Sequence, residues 1–338
     1  MKKNKTMDRE QEEMQFLGLY GIYKESYKII ISWRKIFSQI TLTLILPLSF
    51  IFLIHIQISN ILFRKIMNNT NEILETQQGT PQYQKLSDII TSEWTTFFLF
   101  KLVYFTSLLI FSLLSTSAVV YTIASIYTAR EVTFKRVFGV VPKVWKRLMI
   151  TFLCTFFAFF VYNTLAILVF IIWALSINYK SGGIAILVII GILYLVGTLY
   201  LTILWQLASV VTVLEDSYGF KAMMKSNNLI KGKIGLSTLI FLKLNVSFFG
   251  IQFLFTKLVV KGWGLTLVDR TAYGILCFVL LSHLFLFGLV IQTVLYFVCK
   301  SYHHQSIDKS ALSDHLEVYH GEYEPLKDKD VQLENYHV

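Results

Sequence analysis

Charge is scarce in this chain: 15% of its 338 residues are Asp, Glu, Lys or Arg, against 55% hydrophobic. A soluble domain carries about a quarter charged residues, so a polar surface able to wrap a water-soluble core of this size is excluded. Proline is sparser still, with four residues, while 28 phenylalanines and a mean hydropathy of +0.58 point to long apolar helices. The three cysteines, Cys154, Cys277 and Cys299, all lie in or at the ends of apolar runs. With none in a connecting loop, a disulfide framework and a thiolate zinc site are both excluded. Catalytic signatures are missing too: no G-x-S-x-G elbow, HExxH pair, Walker loop or Asp-rich diphosphate motif occurs. No catalytic residue, metal or cofactor is therefore expected.

What the sequence does have is apolar length. A bilayer core needs about 20 apolar residues in a helix. Six stretches satisfy that requirement: 36–58, 96–124, 148–177, 183–214, 235–260 and 271–299. The expected fold is all-α, a polytopic bundle of six transmembrane helices (22–299) between a polar segment, 1–21, and an acidic tail, 300–338. Met1 to Lys35 is polar and mixed in charge, so the first span is expected to be a retained anchor rather than a cleaved signal. Pro47 should kink that span, because it lacks the amide donor of its helical turn. Ser112, Ser115, Ser117 and Ala118 give the second span a face open to close helix approach.

Basic residues orient the bundle. The N-terminal segment and the loops 125–147 and 215–234 carry 18 lysines and arginines, against 7 in the loops on the other side. Positive-inside logic puts both termini in the cytosol. The sequon at Asn68 then falls in the longest non-cytosolic loop, as a candidate glycosylation site.

A basic, aromatic-containing segment recurs before the odd-numbered spans. "ESYKIIISWRKIF" precedes span one, "VTFKRVFGVVPKVWKRLM" span three and "YGFKAMMKSNNLIKGKIG" span five. The phasing suggests three helical pairs, each introduced by an amphipathic interfacial helix. In the middle copy Lys135, Arg136, Lys143, Lys146 and Arg147 fall within an arc of about 120° on a helical wheel, opposite Phe134, Val137, Phe138, Val141, Val144, Trp145 and Leu148. Pro142 is expected to start a second short helix within it. Such a face suits the anionic headgroups of membrane lipids, as do Lys221, Lys225, Lys231 and Lys233 of the third copy. Because these groups flank apolar spans rather than clustering on a folded polar surface, no nucleic-acid partner is expected.

Polar residues inside spans are costly and are functional candidates for that reason. His283, Lys243, Asn163 and Gln292 are the intramembrane candidates, with His55 and Lys101 nearer the non-cytosolic boundary. Glu215 and Asp216 close span four and read as structural, with Ser217 or its acidic neighbour capping the next helix and Gly219 permitting the turn. The tail contains His303, His304, His315, His320 and His337 without metal-ligand spacing. It also holds a short helix candidate at "SALSDHLEV" and a sorting-type "YEPL", and is the candidate surface for protein partners.

"ITLTLILPLSF", "LASVVTVLEDSYGFKAMMKS" and "KSYHHQSIDKSALSDHLEVYHGEYEPL" resemble a family of plant polytopic membrane proteins without an established activity, over nearly the whole chain from about Leu17. More distantly, "VLEDSYGFKAMMKSNNLIKG" is similar to the multi-span module attached to some bacterial glycerophosphodiester phosphodiesterases. There the catalytic carboxylates and metal ligands belong to a separate soluble domain, which this sequence does not contain. The resemblance implies a shared membrane scaffold and no catalytic residue.

The leading expectation is a non-enzymatic protein of the endoplasmic reticulum, other endomembranes or the plasma membrane. It would organise lipids or partner proteins through its cytosolic basic helices. The alternatives are a transporter or channel with a polar path near His283, and a membrane-embedded lipid or isoprenoid enzyme in which Glu215, Asp216 and His283 would have to converge.

Overall fold

The computed structural model describes residues 14–128, 132–176, 182–262 and 264–303. Among the described residues every regular element is helical and none is a strand. α1 (Leu19–Ser32) buries Ile22, Ser26 and Ile29, spaced three or four residues apart, and leaves Lys24 exposed. The chain leaves helical geometry at Trp33, then runs through α2 (Arg34–Ile40), one π-helical turn (Thr41–Ile45) and α3 (Leu46–Glu75). The expected disturbance at Pro47 takes the form of that widened turn. Pro47 has no N–H for the Thr43 carbonyl, and the Leu46 N–H instead reaches back to Thr41.

α4 (Pro81–Tyr127) starts well ahead of the apolar stretch at 96. Hydropathy registers only its greasy part; the polar first turns are held by the Thr80 cap, by Pro81 at the first helical position, and by pairing with α3. At 1.5 Å per residue α4 spans about 70 Å, far more than a bilayer core.

α5 (Phe134–Ser176) corrects one expectation: Pro142 does not begin a new helix but sits inside a continuous one. Pro142 is exposed, on the side turned away from the core, where the freed carbonyl one turn back can be solvated. There is consequently no separate short helix before the third apolar stretch. α6 (Gly182–Leu214), α7 (Phe220–Ile230), α8 (Ile234–Phe255) with a π turn to Lys261, and α9 (Leu267–Tyr302) complete the fold. α9 opens on a capping box between Thr266 and Asp269.

Six helices are long and apolar enough to cross a membrane, and they pair in sequence as α3 with α4, α5 with α6 and α8 with α9. Packing is concentrated at one end, the closed end. There α4 is buried on all sides from Ser115 to Ile126, and α9 from Val290 to Cys299. Around these two central segments stand α1, α2, the start of α5, the end of α6, and α7. At the distal end α3 still meets the α8–α9 hairpin, while the α5–α6 pair is left largely uncovered. Leu53, Phe255, Val260, Cys277 and Leu281 form a small cluster of their own. Residues such as Phe157, Phe160, Leu195 and Val196 of the α5–α6 pair are about 60% exposed.

Candidate functional site

The α6–α7 turn is the most heavily bonded part of the closed end. Glu215, the first residue beyond α6, has a side chain only 10% exposed. Its Oε1 accepts a hydrogen bond from the Tyr296 hydroxyl at 2.6 Å and from Lys300 Nζ at 3.0 Å. Tyr296 and Lys300 are four residues apart on α9, so both reach the same oxygen from one helix face. Lys225, one turn into α7, forms an ion pair with Oε2. Burial alone would raise the pKa of this carboxyl. The hydrogen bonds from Lys225 and Tyr296, with the charge of Lys300, outweigh it and hold the group below its ordinary value.

The backbone of the turn is clamped as well. Arg147 of α5 donates from Nη2 to the Glu215 carbonyl at 2.7 Å, and its Nη1 lies 3.4 Å from Asp216. The two adjacent acids differ sharply: the Asp216 side chain is 85% exposed. Thr151, one turn along α5, accepts the Gly219 N–H at 2.9 Å and lies 2.8 Å from the Thr212 hydroxyl. This revises the expected cap. Gly219 itself is the N-cap of α7, so the N-cap residue supplies no capping side chain. At φ 63°, ψ −137° it occupies backbone space that other residues reach only under strain.

α7 is thereby fixed to three neighbours. Ser226 donates to the Leu204 carbonyl of α6 at 2.9 Å, and the Tyr200 hydroxyl donates to Asn227. His303, just beyond α9, has Nε2 3.1 Å from the Leu229 carbonyl. Lys233 stands 4.9 Å above the Tyr302 ring. Chemically the arrangement is a clamp: an ionised carboxylate met by three donors has no free role as a base or nucleophile.

Of the basic residues read from the sequence, Lys135, Arg136, Lys143 and Lys146 are exposed along the first turns of α5. None of the four pairs with an acid among the described residues. Arg147 is drawn into the clamp. The opposite, apolar side of this helix packs into the protein: Val137, Val140, Val141, Val144 and Leu148 are at most 3% exposed. In the third segment Lys221 and Lys231 are exposed, whereas Lys225 and Lys233 are engaged as described.

The intramembrane polar candidates do not converge. His283 is exposed on the outer side of α9, its ring stacked 6.1 Å from that of Phe287, and Lys243 is exposed on α8. Asn163 belongs to the distal α5–α6 pair, where it donates to the Phe159 carbonyl and accepts from the Tyr194 hydroxyl at 2.9 Å. Gln292 is buried in the closed end at 2% exposure, and its amide nitrogen has no hydrogen-bond partner among the described residues. Glu215 and Asp216 stand at the closed end on the α6–α7 turn, His283 on an outward face of α9, so the three do not form one site.

At the distal end, Asn68 is exposed on α3 while its neighbour Asn69 donates to Glu93 of α4, which also pairs with Lys65 at 3.2 Å. Lys101 approaches His55 Nε2 at 2.8 Å and donates to Ser59 at 2.9 Å, with the His55 ring stacked on Tyr104. The sequence reading missed this pairing, although His55/Ser59 and Lys101/Tyr104 each sit at same-face helical spacing. Among the described residues no three His, Cys, Asp or Glu side chains gather as a metal site. The tail helix, "YEPL" and His304, His315, His320 and His337 lie outside the described residues.

A family model described as a domain of unknown function, DUF8558, matches residues 7–336. The chain belongs to this family. Curated proteins and solved structures give no match. In this DUF8558 protein the match runs through the clamp and all six long helices, so the family is defined over the whole bundle rather than over an appended domain.

Proposed function

We propose that this chain is a non-enzymatic multi-pass protein of endomembranes, with the closed end in the cytosolic headgroup layer, that organises anionic lipids through that end. The observation that carries this reading is the row of Lys135, Arg136, Lys143 and Lys146. All four are exposed at the closed end, just before an apolar stretch begins, and free of acidic partners among the described residues. Near an anionic leaflet each contributes roughly 1 kcal/mol of attraction, on the order of 4 kcal/mol together. The buried valine row on the other side of the same helix supports a refined role for it. The helix presents charge to headgroups from a fixed protein surface instead of inserting its own apolar face. Exposed phenylalanines and leucines along the distal halves support burial in lipid, since apolar patches of that extent are not kept in water.

The test is lipid selectivity of the reconstituted full chain, read as quenching of its tryptophans by brominated phosphatidylserine against brominated phosphatidylcholine. The wild type should prefer the anionic lipid, less so at high salt. Lys135, Arg136, Lys143 and Lys146 changed together to Gln should remove the preference. Equal selectivity in both proteins at all salt concentrations would sink the reading.

A second reading, transport of a small polar solute, is favoured by Gln292, whose unpartnered amide in the closed core calls for water or a ligand. His283 faces away from that core and is no part of such a path. Solute flux in proteoliposomes that Gln292→Leu abolishes would favour this reading; flux indistinguishable from empty vesicles would oppose it.

A further inference from the structure

A cavity of about 470 Å³ opens at the closed end, between the corner joining α1 to α2 and the start of α5. Trp33, Arg34, Lys35 and Gln39 line it on one side, Thr133 and Phe134 on the other. The corner exists because Trp33 leaves the helical region, at φ −115° and ψ 32°, so that α2 starts in a new direction. Trp33 and Phe134 are half-buried, whereas Arg34 and Lys35 are exposed and pair with no acid among the described residues.

From this basic rim the surface becomes apolar along the rod. Lys35, Gln39 and Leu42 follow one another at three- or four-residue spacing on one face. Leu42 is 68% exposed and Phe50, two turns on, is 55% exposed. A guanidinium and an ammonium at the rim, an indole beside them and an apolar track leading away form a graded series. Guanidinium groups take phosphate oxygens through paired N–H donors, and tryptophan favours the headgroup level of a bilayer. The volume is within the roughly 300–1,000 Å³ range of small-molecule sites.

We infer that this cavity binds the phosphate-bearing headgroup of one phospholipid, with Arg34 and Lys35 on the phosphate and an acyl chain along Leu42 and Phe50. The inference rests on the closed end lying in the headgroup layer. It differs from the exposed row on α5, which attracts anionic lipid diffusely: here one lipid is held in a fixed place.

Native mass spectrometry of the full chain in neutral detergent, titrated with a short-chain phosphatidic acid, tests this. The wild type should bind one lipid saturably. Arg34→Gln with Lys35→Gln should weaken that binding at least about tenfold. Arg64→Gln with Lys85→Gln removes the same charge at the distal end, away from the cavity, and should leave it unchanged. All four positions are exposed, and unchanged thermal stability verifies folding. Equal loss in both double variants, or loss in neither, overturns the site while leaving the diffuse selectivity of the bilayer experiment intact. Displacement of the lipid by inorganic phosphate at equal concentration overturns the lipid assignment, because the headgroup anion alone would then account for binding.

Discussion

Glu215→Gln should be among the most destabilising single substitutions at the closed end, and Asp216→Asn among the least, although the two acids are adjacent. Removing the Glu215 charge leaves Lys225 and Lys300 facing each other across a site where the acid side chain was 10% exposed. Losing one partner of a buried ion pair costs about 3–5 kcal/mol where the remaining charge stays desolvated. Lys300 is held so at 19% exposure, whereas Lys225 at 38% can turn to water, which puts the cost at the lower end, about 3 kcal/mol. At roughly 2–4 °C per kcal/mol for a domain of a couple of hundred residues, the melting temperature should fall on the order of 10 °C. Asp216 is 85% exposed and 3.4 Å from Arg147, so its charge is screened by water and the change should stay within about 1 kcal/mol. Tyr296→Phe should lie between the two, at about 1.5–3 kcal/mol, since it deletes the hydrogen bond donated to Glu215 and the longer one accepted from Lys300. The assay is thermal unfolding of each full-length variant in the same detergent. Equal shifts for Glu215→Gln and Asp216→Asn would refute the clamp.

The same carboxylate gives a pH dependence. Its folded pKa lies below the ordinary glutamate value of 4.5, so its stabilising contribution is complete above 4.5 and is lost as pH falls through the lower folded value. Melting temperature should therefore drop more steeply on acidification in the wild type than in Glu215→Gln, as a pH series of the two proteins would register. Gly232→Ala should cost about 1–3 kcal/mol. Gly232 has φ 87°, and an added Cβ would meet the Tyr302 ring. Restored stability in Gly232→Ala with Tyr302→Ala would isolate the clash, leaving only backbone strain. Leu148→Ala should cost about 2–5 kcal/mol in denaturant titration, against less than about 0.5 kcal/mol for Lys143→Gln on the opposite side of the helix.

The six apolar stretches and the helical class were legible in the sequence because apolar run length is a local property. The polar extension of α4 was not, because Pro81–Thr95 gains its helical state from the Thr80 cap and from α3 across the hairpin. Helical periodicity groups Lys135, Arg136, Lys143 and Lys146, all exposed, and groups Arg147 with them. Periodicity carries no knowledge that the Glu215 carbonyl lies 2.7 Å from that guanidinium. The apolar side of the same helix illustrates a further ambiguity. An apolar stripe has one sequence signature whether it meets lipid or protein, and here Val140 and Val144 meet protein. From its place at the end of an apolar run Glu215 reads as structural, but its partners Tyr296 and Lys300 are more than 80 residues away in sequence and only the fold brings them together.

The central claim is that the closed, basic end faces the anionic cytosolic leaflet, and side-specific thiol labelling in intact microsomes measures this most directly. Lys143→Cys and Asn68→Cys are both exposed positions, at the closed and distal ends respectively. In a background lacking Cys154, Cys277 and Cys299, a membrane-impermeant maleimide added from the cytosolic side should label the first at once. It should reach the second only after permeabilisation. Labelling of Asn68→Cys but not Lys143→Cys in sealed vesicles would contradict the claim outright.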